Sequence, residues 1–139
     1  MAIIALITTV GRNKLLDACF KTGEAANQWF VGLVSNTGFT AYAAADTMAS
    51  HAGWTESSAY SNATRPAYVG SVPVGGSIDN SASKAVFTIN ASDSIQGAFL
   101  TDGSVILGVS GILYGEGPLS AIRSVISGDT LNVTITLTD

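Results

Sequence analysis

The sequence predicts a mainly β fold, an antiparallel sandwich or barrel-like domain with one N-terminal helix and a short helical plug. Three observations carry that reading. From about residue 66 onward, apolar runs recur at short intervals between Gly-, Asp-, Asn- and Ser-rich turns, the spacing of a sandwich or barrel. The stretch 130–138 alternates throughout, with Leu131, Val133, Ile135 and Leu137 on one face and Thr130, Asn132, Thr134, Thr136 and Thr138 on the other. Only one segment near the N-terminus, 13–22, carries a helical stripe. At 139 residues the chain fits a single domain, 1–139, able to bury one core.

In chain order, Ile3, Ile4, Leu6, Ile7 and Val10 come first. They leave neither face of an extended segment polar, which suits a strand buried on both sides or an arm buried against another chain. An edge open to water would not carry that pattern, because it invites uncontrolled pairing. These five residues are therefore the candidate partner-binding set. Asn13 then caps a helix over 14–22 that Gly23 ends. Leu15, Leu16, Cys19 and Phe20 form its apolar stripe, on which Cys19 reads as a small core hydrophobe. Residues 28–34 are a strand by their β-branched and aromatic content, with Trp29 read as core.

The stretch from Gly38 to Thr55 divides this part from the β part and holds the only histidine, His51. Asp46 is placed as an N-cap, Thr47 to Ala52 as one to two helical turns, and Gly53 as a terminating residue with positive φ. So short a helix is marginal alone. Phe39, Tyr42 and Trp54 are the aromatics that could clamp it, which makes Phe39, Tyr42, Asp46 and Trp54 a structural plug. A loop whose aromatics face a partner is the alternative.

Residues 55–64 read as a loop and 68–72 as a short edge strand. Strands follow at 84–90 and 94–101, the latter alternating Ile95, Gly97 and Phe99 against Gln96, Ala98 and Leu100. Asp102-Gly103 signals a type I′ hairpin turn, with 104–114 returning as a central strand that Gly115 to Pro118 break. Residues 122–127 pair with 130–138 across Gly128-Asp129.

Composition bounds function. Charged residues are 12% and the net charge is −4, while 16 Ser and 14 Thr solvate the surface with hydroxyls. The six basic residues form no run, so the phosphate-binding patch of a nucleic-acid binder is not expected. Cys19 stands alone, so no internal disulfide and no Cys/His metal spacing arises. The apolar N-terminus is too short to span a bilayer and lacks signal-peptide flanks, so no membrane partner is expected. Sequons at Asn62, Asn90 and Asn132 are chance matches in a Ser/Thr-rich chain.

Catalytic motifs are not found. There is no Gly-x-Ser-x-Gly elbow, and Gly115-Glu-Gly-Pro118 fails as a phosphate loop because Pro118 removes an N–H and no third glycine follows. His51 reads as a residue donating to a carbonyl or facing solvent. Most aspartates occupy turns. No catalytic, cofactor-binding or metal-ligating residue is assigned, and no cofactor is expected.

The run Phe39-Thr-Ala-Tyr-Ala-Ala-Ala-Asp-Thr-Met-Ala-Ser-His-Ala-Gly-Trp-Thr-Glu56, followed by Arg65-Pro66, resembles a run in small tailed-bacteriophage structural proteins. So does the ending, Gly111-Ile-Leu-Tyr-Gly-Glu116 and then Val125-Ile-Ser-Gly-Asp-Thr-Leu-Asn-Val-Thr134. The likeness runs from about Asn13 onward. It implies a virion structural protein of the capsid decoration or cement type, not an enzyme. Such a protein binds the outer face of the major capsid protein shell, stabilises it, and self-associates as a homo-oligomer. A tail-fibre-associated or head-fibre module binding cell-surface glycan is the second reading, which an exposed aromatic patch around Trp54 would favour. A small hydrolase is the third.

Overall fold

The computed structural model describes residues 6–23 and 27–138 together with the backbone of 2–3. It is mainly β, sandwich-like and antiparallel in all but one strand pair. The strands are β1 (Ala2–Ile3), β2 (Leu6–Ile7), β3 (Phe30–Ser35), β4 (Thr55–Ser57), β5 (Ser77–Asp79), β6 (Ala85–Thr88), β7 (Asp93–Thr101), β8 (Leu113–Val125), β9 (Thr130–Val133) and β10 (Ile135–Thr138). One helix, α1 (Thr9–Phe20), follows β2.

The large sheet runs β4-β3-β7-β8-β1-β10-β5, with β2 also paired to β8. β6 and β9 form a second sheet of two strands. Its frame is the antiparallel trio β3-β7-β8, in which Gly32 faces Phe99 across one ladder and Phe99 faces Glu116 across the next. β1 is inserted between β8 and β10: Ala2 pairs with Leu119 on one side and, in the one parallel pair, with Ile135 on the other.

Two cores lie on the two faces of that sheet. The larger joins Val31, Leu33, Ile95, Ala98, Leu100 and Leu119 to Ala85, Phe87 and Val133 of the small sheet. Tyr60 closes it, meeting the Phe87 ring edge-on at 4.8 Å between centroids. The smaller holds Val34, Phe99 and Leu113 under Met48 and Trp54, with Phe39 and Tyr42 at its margin. A bulge between Ile95 and Gly97 shifts the phase of β7, so Ile95 shares a face with Ala98 and Leu100 while Phe99 points to the other core. The unbroken alternation predicted for 94–101 missed this shift.

Several boundaries differ from the sequence reading for identifiable reasons. Within the apolar stretch 2–10, residues 2–3 and 6–7 are short strands and 9–10 begin the helix. Thr8 is the N-cap in place of Asn13, and its hydroxyl accepts from the Gly11 amide at 3.0 Å. That hydroxyl also donates to the Leu113 carbonyl, and the Thr8 amide donates to Tyr114 at 3.0 Å, fixing the helix start on β8. Residues 47–52 form turns instead of a helix: Thr47 and Ser50 exchange both backbone hydrogen bonds, at 2.9 and 3.1 Å. Gly53 is needed for space and not for positive φ, because a Cβ there would lie 2.1 Å from the Ala41 carbonyl oxygen.

Residues 55–57, read as loop, are the edge strand β4, while 68–72 form no strand. The predicted hairpin at Asp102-Gly103 is a wide loop, 102–112, and the strand resumes only at Leu113. Gly115 to Pro118 lie inside β8, paired to Gly97 through Leu100. Residues 130–138 are divided at Thr134 between the two sheets, and β9 pairs with β6 instead of with 122–127.

Candidate functional site

Two neighbourhoods concentrate unusual features. The first is built on α1. Gly11 lets the helix start sit directly on β8, where a Cβ would come within 2.2 Å of the Tyr114 carbonyl oxygen. From there the helix continues to Phe20. Its apolar stripe is not buried: Leu15, Leu16 and Phe20 are exposed, Phe20 to 82%. Cys19 is exposed as well, against the core role expected from the sequence. An apolar cavity of about 530 Å³ opens beside the helix, lined by Ile7, Leu16, Phe20, Trp29, Tyr114 and Leu137 among others. Trp29 and Tyr114 meet edge-on at 5.4 Å in its wall. Trp29 is half-buried at the margin of the large core rather than inside it.

The described members of the five-residue set read as partner-binding fall in different elements. Ile7 lines this cavity and Val10 lies half-buried in the first turn of α1. Leu6 pairs with Glu116 inside the large sheet. The backbone of Ile3 is in β1, and Ile4 lies outside the described residues.

The second neighbourhood is the segment 39–54, which brings Phe39, Tyr42, Asp46 and Trp54 together. Trp54 is only 2% exposed, tilted against Phe99 at 5.1 Å. Its indole Nε1–H donates to Asp46 Oδ2 at 3.2 Å. His51 stacks on the Trp54 ring at 3.8 Å, and its Nδ1 donates to the Trp54 carbonyl at 3.0 Å.

Beneath them lies Glu116, fully buried. The Ala43 amide donates to both carboxyls, to Asp46 Oδ2 and to Glu116 Oε1, each at 3.1 Å. Glu116 Oε2 and the Tyr42 hydroxyl are buried with no hydrogen-bond partner. Burial, with the adjoining Asp46 carboxyl, pushes the Glu116 carboxyl up to about 8. Burial, then Glu116, raises the Tyr42 hydroxyl well above its ordinary range. The sequence reading missed Glu116, because its partners lie some seventy residues away in the chain.

The sequence reading also missed a buried ion pair that shapes the loop 102–112. Arg65 binds Glu56 through two parallel hydrogen bonds of 2.8 and 2.6 Å, with the Arg65 side chain entirely buried. The same guanidinium donates to the carbonyls of Gly103 at 2.7 Å and Gly108 at 3.1 Å, and lies 5.2 Å from the centre of the Phe99 ring. Glu56 Oε2 accepts from the Leu107 amide at 3.0 Å, holding Leu107 at a φ of 61°, a region few side chains enter. The loop tip therefore presents Val105, Leu107 and Val109 to solvent in a fixed form.

Among the described residues, no group of three or more His, Cys, Asp or Glu is placed to hold a metal ion. No helix there is long and apolar enough to cross a membrane. His51 has Trp54 as its stacking and hydrogen-bonding neighbour. Comparison with known proteins adds no assignment: no protein-family model matches the chain, and no curated protein matches it in sequence.

Proposed function

We propose that this is a virion structural protein of the capsid decoration type, a non-enzymatic homo-oligomer that binds the outer face of the major capsid protein shell and stabilises it. The observation that carries the reading is the uncovered apolar face of α1. Leu15, Leu16 and Phe20 stand exposed beside an apolar cavity on a chain of low charge. A contiguous apolar patch of this kind marks an interaction surface in soluble proteins. Self-association through α1 would remove it from water. Many copies on a shell then multiply a modest gain per copy. The virion setting itself rests on the resemblance of 39–56 and 111–134 to phage structural proteins.

Trp54 is buried, so the exposed aromatic platform that would favour glycan recognition is not present at that position. The decoration reading is tested by copurification: the protein is expected with capsids in shell-scale copy number. Recovery with tails instead would overturn it. Sedimentation of a Leu16→Glu, Phe20→Glu variant tests the self-association surface, with a shift to monomer expected and an unchanged oligomer excluding α1.

A further inference from the structure

Segment 39–54 is fastened to the sheet by few strand hydrogen bonds. Its attachments include the Trp54, Met48, Phe39 and Tyr42 side chains at the smaller core, the Thr9 amide and hydroxyl donating to the Ala44 carbonyl at 2.8 and 3.2 Å, and the Ala43 amide donating to Glu116 at 3.1 Å. Two carboxyls that accept from one amide cannot both be ionised in a water-excluded site without mutual repulsion. Glu116 Oε2 meets no donor, which a buried ionised carboxylate would require. A neutral Glu116 resolves both conflicts, because it removes the second buried charge and leaves Oε2 without a charge to satisfy.

We propose that segment 39–54 is a proton-held latch: the proton on Glu116, beside the Asp46 carboxyl, keeps it closed over the sheet, and loss of that proton opens it. The groups facing the pair come from three elements. The segment supplies Asp46, the Tyr42 hydroxyl, the Ala43 amide and the Trp54 indole, with His51 stacked behind. β7 supplies Phe99, beyond which Arg65 is already paired to Glu56. β2 supplies Leu6. No described cation pairs with either carboxyl, so ionising Glu116 adds an uncompensated negative charge.

The sign follows from proton linkage. The closed form holds its proton to about 8, whereas an exposed glutamate releases it near 4.5. Opening releases a proton between those values, so closure is strongest in acid, weakens as pH rises through that window, and levels off above it. Opening uncovers Trp54, Met48 and Phe99, giving the molecule a second apolar surface that becomes more accessible as pH rises through that window.

The test is amide hydrogen exchange across pH 5–9, each rate normalised to the intrinsic rate of the unfolded peptide. Amides of 39–54 are expected to lose up to about tenfold protection per pH unit within the window, while those of β3 and β7 stay level. Glu116→Gln keeps a neutral, donating group and should flatten the profile. Asp46→Asn supplies a donor to an ionised Glu116 and should also reduce the slope, which keeps the test decisive if the glutamine variant fails to fold. His51→Gln should leave the slope unchanged. A flat wild-type profile, an undiminished slope in the folded Glu116 or Asp46 variants, or a slope abolished by His51→Gln overturns the proposal. Protection restored at pH 8 by millimolar calcium would assign the pair to a cation and overturn it equally.

Discussion

At the scale of single residues, burial separates the side chains that carry the structure from those that decorate it. Trp54 fills the smaller core, and Trp54→Ala is expected to lower stability by about 3–5 kcal/mol, read as a shift in the urea midpoint. Arg65 is a different case, because its removal leaves Glu56 buried without a partner. Arg65→Ala should destabilise by about 3–5 kcal/mol, most of it the burden of the stranded carboxylate. Replacing both Arg65 and Glu56 with apolar residues should recover part of that loss, which a double-mutant cycle measures. The chemistry of Trp54 was legible in the sequence, since a large aromatic beside turn residues is usually core. That of Glu116 and Arg65 was not. Each takes its meaning from groups distant in the chain, and nothing in Gly115-Glu-Gly-Pro118 or Arg65-Pro66 shows what will face them.

At the scale of elements, local pattern served best where one face is buried and one is wet. β6 and β9 follow the alternation read from them, as does β7 once its bulge is allowed for. Pattern failed where a tertiary contact overrode it. Residues 104–112 have the apolar run of a strand, yet the Arg65 guanidinium takes the Gly103 and Gly108 carbonyls, and the strand resumes only at Leu113. Residues 47–52 have a helix cap and a stop glycine, yet Asp46 spends its carboxylate on the Trp54 indole and the Ala43 amide. Its side chain is then unavailable to a first helical turn. The tight crossing at Gly53 yields a further expectation. Gly53→Ala must push the Ala41 carbonyl aside, and a loss of about 1–3 kcal/mol is expected in thermal unfolding.

At the scale of the whole molecule, the sandwich class was legible and the strand order was not. Turn spacing announces short antiparallel strands, but it does not say which strand lies beside which. The N-terminal segment shows the difference. Its apolar pattern asked for cover on both faces; the structure shows which strands lie at its edges, β8 on one flank of β1 and β10 on the other. Deleting residues 2–7 should therefore lower the thermal midpoint by removing the strand that joins two parts of the sheet. Circular dichroism and sedimentation on the truncated protein distinguish this from loss of an exchanged arm, which would split the oligomer with the midpoint unchanged.

The position of β1 also governs the order in which the molecule can be made. Ala2 and Ile3 leave a ribosome long before Ile135 and Thr136, their parallel partners. The frame β3-β7-β8 needs nothing beyond Val125 and can assemble while synthesis continues. The two earliest strand residues must wait for that frame and for the closing strand. Contacts so distant in sequence form slowly, because the loop they close is nearly the entire chain. Until then the apolar N-terminal segment is uncovered, and that interval is when an emerging chain would be most prone to pair with its neighbours.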